Sequence, residues 1–216
     1  MRKFVKFLIW TALIIGVIIG LARLTAIRWW TVPENDPLLG ASITPSLNPG
    51  DTILLWRLSA PKYSDLVLCP DPTDPNEVVI ARIVAEENDR VKVQGNDIWV
   101  NGSPMRTEMA CTERTFKSLD PATGNEVEQF CDQEDLGGSL HMRGNISEGR
   151  SMSSQLITEQ KVAAGKVFLV SDNRLYPFDS RRFGQVDRAT CKETVFFRLT
   201  GKNGFFDTKQ RLTFIH

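Results

Sequence analysis

The sequence from Val78 to Ala85 reads VVIARIVA, an eight-residue apolar run that contains one charged residue, Arg82. Short runs of this kind, rich in β-branched residues, favour strands over helices. Six similar runs lie on either side of it, at 52–56, 65–69, 90–93, 97–100, 166–170 and 194–199. No segment of the body has both the length and the 3.6-residue period of a helix. The sequence therefore predicts a mainly β body, a barrel or sandwich of antiparallel sheets.

Residues 103–160 differ from this body because they are polar and contain several Gly and Ser residues. We interpret this stretch as an insertion, partly hairpin and partly loop, carried on the β core. Cys111 and Cys131 lie inside it, on either side of a turn predicted at 121–124. Antiparallel strands could bring the two within the ~5.5 Å Cα separation of a disulfide, so a bridge is expected, with two free thiols as the alternative.

The N-terminus carries a membrane signal. Sixteen uncharged residues run from Phe7 to Ala22, behind three basic residues among the first six. A helix of that length spans about 24 Å, and the flanking Lys6 and Arg23 can extend toward the interface to cover a ~30 Å hydrocarbon core. A cleaved secretory signal, cut before Arg23, is the alternative. In both cases the basic end stays in the cytoplasm and the body is exported.

This pattern divides the chain into two parts. Residues 1–30 form a cytoplasmic tip and a single-pass anchor in the cytoplasmic membrane, and residues 31–216 form the β domain, in the periplasm or outside the cell. The lipid bilayer is therefore one expected partner.

The charge distribution excludes several functions. The first 30 residues carry five basic residues and no acid, whereas the other 186 carry 21 basic and 26 acidic residues, net −5. An acidic body argues against nucleic acid as a partner. Two His and four Cys without a CxxC pair make a metal site unexpected, and no cofactor is indicated. Cys69 and Cys191 border apolar strands and are expected to be small core residues rather than reactive thiols.

Two polar clusters could carry chemistry. The first, residues 40–51, reads GASITPSLNPGD, and the second, residues 171–184, reads SDNRLYPFDSRRFG. Taken alone, the first could be a linker with a Pro-Gly turn and the second a solvated loop with Asp–Arg pairs. In this order behind an anchor, however, they resemble the bacterial type I signal peptidases (leader peptidases). These are membrane-bound serine proteases that remove signal peptides.

The match rests on specific residues. The family's first segment reads Ser-Gly-Ser-Met-x-Pro-Thr-Leu-x-x-Gly-Asp, and this chain shares the second Ser (Ser42), the Pro, the Leu and the final Gly-Asp pair. The family's late segment, Gly-Asp-Asn-Arg followed by Asp-Ser-Arg and Gly, is similar to residues 172–174, 179–181 and Gly184. The resemblance implies that signal peptides or precursor proteins are the partners.

The resemblance also implies a role for each matching residue. Ser42 falls on the nucleophile, whose backbone N–H supplies one oxyanion donor. Ser180 falls on the serine that orients the catalytic Lys. Supporting positions that shape the site are Asp172, Asn173, Arg174, Asp179 and Arg181. The residues expected to hold the site at the bilayer surface are Trp29, Trp30, Leu38 and Leu39.

The pattern breaks at the general base. The family places a Lys in a strand that aligns without a gap to residues 79–91, and here that position is Ala81. A Ser hydroxyl is a weak nucleophile until a base takes its proton, which an alanine cannot do. Arg82 cannot substitute, because a guanidinium does not lose its proton in proteins. Gly40 occupies the position of the family's second oxyanion donor, a Ser hydroxyl, so that donor is also missing.

Three interpretations follow. The chain is a working peptidase of signal peptides or pilin-like precursors whose base comes from elsewhere, with Lys62, Lys92 and His141 as candidates. Alternatively, it is a catalytically silent relative that serves as a chaperone or assembly factor for exported or pilus proteins. The third interpretation, deliberate replacement of the Lys, is disfavoured by the further change at Gly40 and by the Glu86-Glu87 turn.

The basic N-terminus generates a test of topology. Alkaline phosphatase fused after His216 should be active, because the positive-inside rule places everything beyond about residue 30 outside the cytoplasm. A reporter that works only in the cytoplasm should be inactive in the same position. The reverse result would overturn the predicted orientation.

Overall fold

The structure is a computed structural model that describes residues 2–94, 97–145 and 157–215. Part of the predicted insertion, residues 146–156, lies outside these ranges. The helices within them are α1 (Arg2–Thr25), α2 (Pro37–Ile43) and α3 (Ser180–Phe183). The strands are β1 (Ile27–Thr31), β2 (Thr52–Trp56), β3 (Leu66–Pro70), β4 (Val78–Ala85), β5 (Arg90–Gln94), β6 (Asp97–Val100), β7 (Ser103–Pro104), β8 (Arg106–Leu119), β9 (Glu126–Asp135), β10 (Leu140–Asn145), β11 (Ile157–Lys161), β12 (Lys166–Val170), β13 (Val186–Asp187), β14 (Glu193–Thr200) and β15 (Thr213–Phe214).

Helix α1 is long and apolar enough to cross a membrane. Its 24 residues extend about 36 Å, and the apolar span runs from Lys3 to Arg23. The side chains of this span are exposed rather than packed against the sheets. The helix therefore has the features of a membrane anchor, and it includes the basic residues that flank the uncharged run.

The β domain begins earlier than the sequence predicts. Strand β1 starts two residues after the end of α1 and pairs antiparallel with β2, from Ile27 opposite Trp56 to Thr31 opposite Thr52. The sheet therefore starts inside the stretch assigned to the anchor. Trp29 is half exposed on β1, and the guanidinium of Arg23 lies 4.5 Å from the centre of its ring.

The main sheet has the order β1-β2-β14-β3-β4-β12-β13, with β15 paired to β14. Strand β4 lies inside this sheet, and all but its first residue are buried, which explains a run that is apolar on both faces. The late strand β14 lies between β2 and β3, so its two neighbours come from much earlier in the chain. The predicted mainly β fold of antiparallel sheets is confirmed.

Two smaller sheets complete the described part of the domain. One has the order β11-β5-β6-β7 and the other β10-β9-β8. Because β7 and β11 pair with strands of the body, the inserted sheet spans β8 to β10, a narrower range than residues 103–160. It is a long hairpin with one further strand.

All four cysteines are paired. Cys111 and Cys131 form a disulfide between β8 and β9, with Cα atoms 5.4 Å apart. Cys69 and Cys191 are buried in the main core, as expected, but they are also joined by a disulfide, which the sequence did not predict. The cause is topological, because β14 pairs with β3 and so brings the two residues together across 122 positions of sequence.

The two bridges should differ in their effect on stability. By loop-closure entropy, loss of the 122-residue loop should cost about 5 kcal/mol and loss of the 20-residue loop about 3 kcal/mol. Denaturant unfolding of the Cys69→Ser/Cys191→Ser and Cys111→Ser/Cys131→Ser variants, each compared with the native chain in the same detergent, would measure both. Equal losses of unfolding free energy, or a larger loss for the Cys111→Ser/Cys131→Ser variant, would contradict the expectation.

Candidate active site

Ser42 lies on α2, a short helix in a stretch that, by sequence alone, could have been a linker with a Pro-Gly turn. The Asp36 carboxylate caps the helix by accepting a hydrogen bond from the Leu39 N–H at 2.9 Å, and Pro37 occupies the first turn. These are standard start signals, so the pair Asp36-Pro37 could have revealed the helix. Leu39 and Ile43 anchor α2 in the main core.

The Ser42 side chain is fully buried, and its hydroxyl donates a 2.9 Å hydrogen bond to the Leu39 carbonyl one turn back. The Ser42 carbonyl accepts a hydrogen bond from the Asn173 N–H at 2.9 Å. The Asn173 side-chain amide also donates to the Ala41 carbonyl at 2.8 Å and to the Thr44 hydroxyl at 3.0 Å. The structure thus joins the two sequence clusters directly, through Asn173.

Ala81 lies in the middle of β4, fully buried, opposite Val67 of β3. It belongs to the same apolar cluster as Leu39 and Ile43 of α2. The other neighbour of β4 is β12, in which Val170 pairs with Arg82, the residue after Ala81. The second cluster begins directly after Val170, so its start lies next to Ala81. Ala81 therefore lies in the core between α2 and the strand that leads into the second cluster, and its side chain is only a methyl group.

The three candidate bases lie elsewhere. Lys62 is on an exposed loop before β3, and Lys92 on β5 stacks 5.1 Å from the ring centre of Trp99. His141 is buried on β10. In the described part of the chain, no nitrogen of these three residues forms a hydrogen bond with the Ser42 hydroxyl.

Arg82 points away from Ala81, because neighbouring residues of a strand face opposite sides. Its guanidinium forms a buried two-point ion pair with Asp172, at 2.7 and 3.1 Å, and donates to the Ser64 carbonyl at 3.1 Å. Arg82 and Asp172 thus connect β4 to the second cluster on the face opposite the Ala81 methyl.

His141 lies on this same side, with Nε2 3.5 Å from Glu134 and 3.8 Å from Asp172. Burial lowers its pKa well below the usual value, and the positive charges of Arg82 and Arg174 lower it further. The ring is therefore neutral at physiological pH. Because it faces the ion pair of Arg82, it is not positioned beside Ala81.

The insertion supplies the rest of this network, which sequence reasoning missed. Glu134 of β9 pairs with Arg174 of the second cluster and, at 3.1 Å, with Arg143 of β10. Arg143 also pairs with Asp132 at 2.7 Å. No motif or spacing links these residues in the sequence. These ion pairs fix the inserted sheet against the second cluster, whose Asn173 contacts the Ser42 carbonyl.

The remaining predicted residues cluster at the start of α3. The Asp179 carboxylate caps this helix, accepts a hydrogen bond from the Ser171 N–H at 2.7 Å and pairs with Arg181. Burial alone would raise the pKa of Asp179, but the Arg181 charge and these hydrogen bonds bring it below the usual value. The Ser180 hydroxyl accepts a hydrogen bond from the Leu169 N–H of β12 at 2.9 Å. These contacts brace the second cluster against β12.

Gly40 lies on a different face of α2 from Ser42, since residues two apart on a helix do not face each other. A Cβ at Gly40 would lie 2.6 Å from Cγ of Pro49. The same face, with Pro37, Ala41 and Thr44, lines a cavity of about 550 Å³. A side chain at position 40 would therefore begin against Pro49, which would have to shift to admit it.

The chain thus joins an apolar N-terminal helix to a β domain in which an Asp-Asn-Arg loop contacts the helix that carries a buried serine. The model of the signal peptidase family, peptidase S26, matches residues 4–200, and the chain belongs to this family.

Curated relatives are similar over most of the chain. Signal peptidase I V of Bacillus subtilis (strain 168) is 26% identical over 151 residues, 68% of this chain and 74% of the relative. Signal peptidase I of Pseudomonas fluorescens is 28% identical over 166 residues, with 68% of this chain and 54% of the relative covered. The chain thus spans about three quarters of the first relative and about half of the second. Among solved structures, a signal peptidase I from Enterococcus faecalis V583 matches with a TM-score of 0.39 and 18% identity, covering 63% of this chain and 97% of that chain.

The lowered pKa of His141 predicts an acid-sensitive fold. The unfolded chain binds a proton at the usual His pKa of ~6.5, whereas the folded chain does not, so the free energy of unfolding should fall as pH drops from 7 to 5. The loss approaches about 1.4 kcal/mol per pH unit. Denaturant unfolding at several pH values would measure it.

The matched variant is His141→Gln, which removes the titrating group and should flatten the profile over this range. Protonation of Asp179 lowers the free energy of unfolding only at a more acidic pH, because the pKa of this carboxyl in the folded chain lies below its usual value. An unchanged slope in the variant would show that another group is responsible.

Proposed function

We propose that this chain binds the signal-peptide region of exported precursors at the membrane surface, in a site of signal-peptidase type that does not cleave efficiently. The observation that carries the proposal is the arrangement around Ser42. Asn173 holds the serine segment in place, while the residue at the base position is Ala81. On this proposal the chain retains the surface that binds the precursor, and the position that the family resemblance assigns to the general base carries no proton acceptor.

The chemistry explains the expected inefficiency. To attack a carbonyl, the Ser42 hydroxyl must lose its proton, and its hydrogen bond to the Leu39 carbonyl supplies no base. General-base catalysis contributes a factor of about 10²–10⁴ to rate. Burial of the side chain adds a second barrier, because a peptide reaches the hydroxyl only after neighbouring groups move.

A second candidate function is a working serine endopeptidase of signal peptides or pilin-like precursors. It is favoured by the presence of Ser42 in the first cluster and Ser180 in the second, the two serines that the family resemblance assigns to catalysis. Such an enzyme needs a base beyond Lys62, Lys92 and His141. Outside the described ranges, the only Lys or His side chain in the sequence is that of His216. On this candidate function, the base is another residue of the chain or a group that a partner protein or the precursor supplies.

The proposed location is the cytoplasmic membrane, with the N-terminus in the cytoplasm and the β domain outside it. Helix α1 supports the anchor, and the two disulfides support an oxidising compartment for the domain, since such bridges rarely persist in the cytosol.

A cleavage assay on a fluorogenic signal-peptide substrate tests the proposal. The native chain should be no faster than its Ser42→Ala variant, because neither has a base for the reaction. Ala81→Lys should raise cleavage by at least the ~10²-fold that a general base contributes, and adding Ser42→Ala to it should abolish the gain. Robust native cleavage that is lost in Ser42→Ala would establish the second candidate instead.

Gly40→Ser serves as a further check on the geometry. From the family pattern alone, this change should add an oxyanion donor and increase activity in the Ala81→Lys background. The structure predicts the opposite: no gain in activity and a lower free energy of unfolding, because the new Cβ meets Pro49. Both quantities can be measured on the same preparations.

A further inference from the structure

One end of the main sheet lies directly at the end of the membrane helix. Ala26 follows the last residue of α1, and its carbonyl accepts a 3.0 Å hydrogen bond from the Arg57 N–H. The loop after β2 therefore begins where α1 ends. With α1 in a bilayer, this loop starts at the membrane surface.

A cavity of about 390 Å³ opens beside this loop. Its apolar wall is Trp56 and Phe196, which pack edge to face with ring centres 6.4 Å apart. Its polar wall contains Ser59 and Lys62. This combination of aromatic and polar surface is typical of groups that sit at a membrane–water interface.

Two polar groups of the cavity, those of Ser59 and Lys62, are available for an anion. The Ser59 hydroxyl accepts a 3.0 Å hydrogen bond from Nε1 of Trp56, so its own proton remains free to be donated. In the described part of the chain, no ion pair involves the Lys62 ammonium. Two donors with different chemistry therefore line one small cavity.

The charges around the cavity favour the same kind of ligand. Glu193, the buried acid at this end, is already paired with Arg28 at 2.8 Å and Arg57 at 3.3 Å. Asp65 in the cavity wall accepts a hydrogen bond from the Lys62 backbone N–H at 2.8 Å. With Lys62 itself, the three basic groups outnumber these two acids. Next to them, Leu58 is 63% exposed and offers an apolar contact to lipid.

We propose that this cavity seats the phosphate headgroup of an anionic phospholipid, with Lys62 and Ser59 donating to the phosphate and Leu58 in contact with the acyl region. The position of the cavity at the end of α1 selects a lipid over a soluble ligand, because the membrane surface delivers lipid to it at high local concentration. Lys62, a candidate base by sequence, thus acts in lipid binding rather than at Ser42.

Native mass spectrometry of the full chain, released from detergent micelles, tests the site. The probe lipids are phosphatidylglycerol and phosphatidylcholine of the same acyl chains. The first phosphatidylglycerol should bind more tightly than the first phosphatidylcholine. Lys62→Gln should reduce that preference about five-fold, as expected for one cation near an anionic surface. Lys62→Arg should retain the preference, because it keeps the charge.

Lys92→Gln is the matched control, since it removes a cation that stacks on Trp99 in a different sheet, and it should leave the preference unchanged. Three outcomes would overturn the proposal. They are no preference in the native chain, an equal loss in the Lys62→Gln and Lys92→Gln variants, and displacement of phosphatidylglycerol by millimolar inorganic phosphate. The last result would identify a soluble anion as the ligand. None of these results depends on whether Ser42 cleaves.

Discussion

The ion pair between Arg82 and Asp172 is the constraint on which the rest of the site depends. It is buried on both sides, so removal of one partner would leave an uncompensated charge, at a cost of about 3–5 kcal/mol. Arg82 belongs to the central strand β4, and Asp172 precedes the residue that holds the Ser42 segment. His141 of the inserted sheet lies against the same carboxylate. This one contact therefore fixes the relative positions of strand β4, the helix that carries Ser42 and the inserted sheet.

The groups around Ser42 and the residue at position 81 lie in different surroundings. Asn173 fixes the backbone of the serine segment, and Asp179 and Ser180 brace the second cluster against β12. In contrast, Ala81 is packed within the apolar core, which also contains Leu39 and Ile43. A lysine there would have to be accommodated among apolar side chains, where the neutral amine is favoured. The surroundings would thus suit a lysine base, although the chain does not supply one.

The parts of the fold that follow from local pattern could be predicted from the sequence. Apolar runs such as Val78–Ala85 match strands almost residue by residue, and the joined clusters were expected from the family resemblance. Pairings between distant segments could not be read in this way. The Cys69–Cys191 bridge and the contact of Glu134 with Arg174 depend on tertiary topology, which leaves no spacing signal. Helix α2 does have a local sequence signal, the Asp36 cap followed by Pro37, within the stretch that leads into the family's first motif.

The place of β14 in the main sheet has a consequence for how the protein is made. This strand fills the gap between β2 and β3, although it is the last long strand in the chain. During synthesis the N-terminal strands are made first, and β2 and β3 then have no neighbour between them. The sheet can close only after residues 193–200 have been added. Until then the edges of β2 and β3 that later pair with β14 have unpaired backbone groups, so the last part of the domain to be made completes its main sheet.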